Sequence, residues 1–351
     1  MEIFSVHLDG NPDAVAFCPH DPYANFLAVA TYTLQQQQPT TDHDHDHGHE
    51  QTRLGSLSIF DVNAGDRGRV RVVDRVELAG VFDVKWSPKG VRVGVAAADG
   101  GLRVFGVEGT NMEGISLKEQ SNIQLSSSMC LCLDWNPTAT SISVGCSDGS
   151  ISIVSHSDSH LSILQEWNAH EFELWAAAFD IQQPYLLYTG SDDCKLKGWD
   201  LRSNASAPAF QNSKVHTAGV CCIAKNPMDP HTLLTGSYDE HLRVWDVRSI
   251  SKPVNDTSIG LGGGVWRIKY HPSVPNLVLA ACMHNGFAIV KINEGNAEVI
   301  ETYNKHDSLA YGADWQIGGS GKIMSNVVAT CSFYDRLLRV WIPNKIGVAL
   351  S

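Results

Sequence analysis

Two short stretches bring together side chains able to run acyl chemistry. One, Cys282-Met283-His284-Asn285-Gly286, sets a thiol two residues before an imidazole. The other, His306-Asp307-Ser308, lines up an imidazole, a carboxylate and a hydroxyl. An exposed imidazole titrates near neutrality and can take a proton from water or from a neighbouring nucleophile. His284 is therefore the first candidate base, with His306 and Asp314 as alternates. Cys282 and Ser308 are the candidate nucleophiles, and Arg267 or a main-chain N–H could stabilise an oxyanion. Neither nucleophile has a diagnostic setting: GxSxG, HExxH, GxxxxGK[ST] and a GxGxxG following a strand are all missing from the sequence.

A second set of residues suits binding. Phe82, Trp175, Trp266 and Tyr311 fall at equivalent positions of an internal repeat, and Glu173 precedes one of them by two residues. Aromatic faces attract a quaternary ammonium by roughly 0.5–2 kcal/mol each, and a carboxylate adds to this. Such rings around one opening are expected to form a cation cage.

The repeat that places these residues is clearest in "LLYTGSDDCKLKGWDLR", ending at Arg202, and "LLTGSYDEHLRVWDVR", ending at Arg248. Trp199 and Trp245 are 46 residues apart. Each copy opens with a histidine, His170 or His216, and carries an aspartate six residues before its tryptophan. In the second copy His216 is expected to donate to Asp239 while Ser237 bridges to the Trp245 indole, a structural network. Weaker copies end near Asp61 and at Phe105, Val154, Val290 and Trp341, which makes seven. Alternation with period two, punctuated by turns such as "SPKG" and "SDG", marks strands. One four-stranded sheet cannot bury both faces, so the copies must stack and close into a ring. "IFSVHL" near the start is the strand left over to complete the last copy. In the sixth copy His284 holds the aspartate's place, and "GLGGGVW" replaces the opening histidine. The missing pair is explained either by a degenerate copy or by a position released for function.

This pattern resembles the WD-repeat family, which implies an all-β, seven-bladed propeller formed as one domain over residues 1–351. Within it, "GSYDEHLRVWD", "GGGVWRIKYHP", "AACMHNGF", "DSLAYGADW" and "ATCSFYDRLLRVW" together resemble the WD-repeat diphthine methylesterase family, also named diphthine methyltransferase. The resemblance implies a hydrolase in diphthamide biosynthesis. Its substrate would be the methyl ester of diphthine on elongation factor 2, and it needs no cofactor. That substrate carries a trimethylammonium, which Trp175, Glu173, Trp266, Tyr311 and Phe82 would cage. Two competing readings keep the fold and drop the chemistry: an adaptor presenting elongation factor 2 to another enzyme, or a reader of methylated lysine or arginine.

Bulk properties narrow the setting. The net charge of −12 favours a basic partner and speaks against nucleic acid. No run of eighteen apolar residues suggests a membrane span, and the opening residues show no secretory pattern. Nine scattered cysteines without a CxxC pair point to reduced thiols. A cytoplasmic monomer is expected. "QQQQPTTDHDHDHGHEQT", Gln35 to Thr52, interrupts the first copy and is expected to be a solvated, disordered loop. Its His43, His45, His47 and His49 alternate with Asp42, Asp44 and Asp46 in a way that could hold a transition metal, but no metal site is assigned.

Overall fold

Seven antiparallel four-stranded sheets form the protein in a computed structural model that describes residues 1–35, 52–63, 69–110, 114–157, 160–203, 207–249, 251–318 and 326–346. The His-rich stretch lies outside these residues. Six sheets are built from consecutive strands. The seventh joins Ala310–Trp315, Val328–Ser332 and Leu337–Trp341 to Glu2–His7 from the other end of the chain. Phe4 faces Val340 and Val6 faces Leu338 across that seam. Ile3, Phe4, Val6 and Leu8 pack onto a buried cluster that includes Val15, Phe17, Leu338 and Val340. The period-two alternation of "IFSVHL" thus closes the ring.

The innermost strand of each blade lines the central channel. In six of them the register slips by a bulge at the channel mouth, at Asp13, Phe82, Leu131, Trp175, Cys221 and Tyr311. Trp266 takes the matching place just ahead of Arg267–Tyr270. Each bulge re-aims one side chain, which is how a repeat with one backbone plan can vary its mouth.

Polar clamps tie these strands together below the mouth. Asp83, Asp134 and Asp314 accept the main-chain N–H of Leu133, Phe179 and Phe17 in the following blade, at 3.2, 2.8 and 2.8 Å. Lys85 pairs with Asp134 at 2.9 Å and Lys269 with Asp314 at 3.5 Å. Arg267 reaches from the sixth blade to Asp83 in the second at 3.2 Å.

The buried histidine network differs from expectation in its bridging residue. Thr235, not Ser237, joins His216 Nε2 to the Trp245 indole, both at 2.9 Å. Thr189 does the same for His170 and Trp199, at 2.8 and 2.9 Å. Strand register explains the choice: Trp245 stands opposite Leu233 and Trp199 opposite Leu187, so the nearest hydroxyl on the same face lies two residues on. Ser237 instead holds the turn, accepting from Asp239 N–H and donating to Ala218. The histidine–aspartate link forms in the fourth blade, where His170 Nδ1 meets Asp193 at 2.9 Å. In the fifth blade Asp239 takes Arg243 at 2.8 Å and Thr217 N–H at 3.0 Å instead. In the sixth, Leu261, Ala280 and Val290 occupy the places of histidine, threonine and tryptophan and join one apolar cluster.

Candidate functional site

His284 sits in the turn between Leu277–Ala281 and Phe287–Asn293. The turn is tight: Cys282 N–H donates to Gly286 and Asn285 N–H to Cys282, both at 2.7 Å. Gly286 has φ +67°, which favours glycine there. Asn285 anchors the turn downward, its Nδ2 donating to Leu261 at 2.6 Å. With an apolar interior beneath it, the turn has no buried partner for an imidazole, and His284 is exposed. Across from it lies the lead-in loop of the seventh blade. Asp307 N–H donates to Asp335 at 3.0 Å, and Ser308 Oγ accepts Tyr334 N–H at 2.9 Å. The two blades enclose a cleft of about 580 Å³ that brings His284, Asp307, Ser308 and Tyr334 together.

Four other candidates are placed differently. His306 borders the cleft but is the seventh blade's network histidine. Its Nε2 meets Thr330 at 2.9 Å, its Nδ1 is bonded to Ser332, and Trp341 donates to the same Thr330 at 3.2 Å. Burial pushes its imidazole down to about 4, so it is a structural group rather than a base. Cys282 is 0% exposed within the apolar cluster, and burial pushes its thiol up to about 12. It fills the position of Ser237 and is no nucleophile. Arg267 follows Trp266 by one residue and so faces the channel, where it pairs with Asp83 rather than lining the cleft. Asp314 is likewise committed to Phe17 N–H and Lys269. An oxyanion role for Arg267 and a base role for Asp314 are both excluded by this geometry.

Comparison with known proteins places the chain. The family model described as "WD domain, G-beta repeat" matches residues 161–200 and 210–246. Both matched copies contain the complete histidine, threonine and tryptophan set, which the seventh blade also holds in His306, Thr330 and Trp341. The diphthine methyltransferase of Mus musculus is 37% identical over 86% of this chain and 67% of its own length. That of Homo sapiens is 34% identical over 86% of this chain and 72% of its own. This chain belongs to the diphthine methyltransferase family. The Schizosaccharomyces pombe diphthine methyltransferase is 29% identical over 91% of both chains. A chain in the crystal structure of the mitotic checkpoint complex superposes with TM-score 0.72 at 18% identity, covering 97% of this chain and 91% of that one, which shows the fold alone.

In this member of the diphthine methyltransferase family the expected aromatic cage is a plug. Trp266 is 7% exposed, stacked on Tyr311 at 4.9 Å and flanked by Trp175 at 5.1 Å and Tyr238 at 5.8 Å. Phe82 is 5% exposed and packs on Tyr32, which meets Phe333, which meets Tyr311. The rings satisfy one another, so Trp266 and Phe82 have no free face for a ligand. Trp175 and Tyr311 are half-buried in the same chain of rings. Glu173 is half-exposed on the fourth blade, where burial and, to a smaller extent, its charge push Asp192 up. Sequence reasoning missed Tyr334. Its signal was spacing: Ser332 to Asp335 is one residue longer than Ser237 to Asp239, and the extra residue supplies the exposed ring.

Proposed function

We propose that this chain is a carboxylic ester hydrolase that removes the methyl ester from diphthine on elongation factor 2, a step of diphthamide biosynthesis. The observation that carries the reading is the cleft in which an exposed imidazole faces a hydroxyl and a carboxylate within a member of the diphthine methyltransferase family. His284 takes a proton from water as the water oxygen attacks the ester carbonyl. Ser308 accepts Tyr334 N–H through its oxygen, which leaves its own proton to donate to the oxyanion. The tetrahedral intermediate collapses by breaking the bond to methoxide, which takes the proton from the His284 imidazolium and departs as methanol. The new carboxylic acid ionises to carboxylate. Ser308 as attacking nucleophile is the variant of this scheme that would pass through an acyl-enzyme.

The chain's net charge of −12 supports a basic partner surface, as a translation factor that handles RNA would present. The setting in this reading is the cytoplasm and the acting species a monomer. Hydrolysis and methyl transfer are separated by one assay. Purified protein is incubated in ¹⁸O water with elongation factor 2 bearing methylated diphthine and no methyl donor. The expected result is methanol in amounts equal to the methyl lost, with the heavy oxygen in the new carboxylate. Loss of methyl only on adding a donor or acceptor would overturn the hydrolytic reading.

A further inference from the structure

Diphthine carries its trimethylammonium and its carboxyl on the same carbon, so the cation and the reacting carbonyl must enter one pocket. This requirement, which rests on the proposed function, separates the aromatic groups of the mouth. Trp266 and Phe82 have no open face. Trp175 and Glu173 stand on the fourth blade, and neither lines the cleft that holds His284. Tyr334 does line it, and the residue is 71% exposed. Its position is built: Ser308 Oγ holds its N–H at 2.9 Å, and Phe333 meets the ring edge-on at 5.0 Å and 90°. Asp307 borders the same cleft, with its main chain fixed by Asp335 at 3.0 Å.

We infer that Tyr334 and Asp307 form a quaternary-ammonium subsite beside His284, with the Tyr334 ring as the π face and Asp307 as the counter-charge. The subsite sets specificity. A permanent cation cannot be satisfied by hydrogen bonds, so a polarisable face and a nearby carboxylate are the groups that distinguish it from an unmodified histidine. Trp175 with Glu173 is the rival location for the same ligand.

The test is a binding measurement that does not depend on turnover. Affinities of the full-length protein are compared for elongation factor 2 bearing methylated diphthine and for elongation factor 2 bearing the unmodified histidine. The wild type should prefer the former. Tyr334→Ala should lose about tenfold of that preference, Tyr334→Phe should retain it because the π face remains, and Asp307→Asn should weaken it. Trp175→Ala and His284→Ala should leave the preference in place. The inference is overturned if the wild type does not discriminate, if Tyr334→Ala discriminates as well as wild type, or if Trp175→Ala carries the loss. Methyl release measured alongside reports on the proposed hydrolysis separately: discrimination through Tyr334 without any methyl release would sink the hydrolytic reading and leave the subsite standing.

Discussion

His284 and His306 show how one residue type is sorted by its surroundings. His306 and His216 are both held neutral by burial, each pushed down to about 4. The unfolded chain binds protons on both near 6.5, the folded chain near 4, so folding loses stability as pH falls through that window. Each contributes a slope of at most about 1.4 kcal/mol per pH unit. Asp13 opposes this, since burial pushes its carboxyl up to about 7 and its contribution weakens as pH rises. Burial also pushes His170 and His271 down and Asp192 up, so four histidines stand against two aspartates and acidification is expected to cost stability. Urea melts at about pH 6.5 and about pH 5 should show it, and the His216→Gln, His306→Gln double variant should flatten the slope. An unchanged slope would show that other groups control acid stability. Which histidine was free could be read in the sequence, because His284 stands where the repeat has an aspartate. That Cys282 and Arg267 were unavailable could not be, because the apolar cluster around the thiol and the ion pair to Asp83 are set by contacts between blades.

At the scale of the blade, two solutions to the same packing problem coexist. The fifth blade buries His216, Thr235 and Trp245 as a hydrogen-bonded set, while the sixth buries Leu261, Ala280 and Val290. Each is consistent within itself, and mixing them should fail. Thr235→Val strands His216 Nε2 and the Trp245 indole N–H, at a cost of about 1–3 kcal/mol. Ala280→Thr buries a hydroxyl with no partner and should cost a similar amount. Chemical denaturation measures both, and a neutral Thr235→Val would mean that the bridging hydroxyl contributes nothing. The apolar sixth blade also explains why its turn is free: with no buried histidine beneath, nothing draws His284 inward. Repeats, strands and mouth positions were legible because the period-two pattern and the turn residues recur seven times. The plug was not, because whether rings face a ligand or one another depends on distances between blades that no single repeat encodes.

Across the whole molecule, the ring, the clamps and the plug form one frame, and the cleft lies between its sixth and seventh blades. The frame depends on closure. Removing residues 1–9 would expose the edge of Leu337–Trp341 and uncover the cluster under Ile3, Phe4 and Val6. A fall in Tm of roughly 6–12 °C is expected, and unchanged melting would contradict the role of Glu2–His7 as the closing strand. The central claim is that this frame presents His284 to a methyl ester, and intact-mass analysis of elongation factor 2 bearing methylated diphthine tests it most directly. Wild-type protein should remove one methyl, and His284→Ala should do so about 100-fold more slowly or worse while melting and binding stay near wild type. A His284→Ala protein that removes the methyl at the wild-type rate would contradict the claim and leave His284 as a mark of the sixth blade's altered turn.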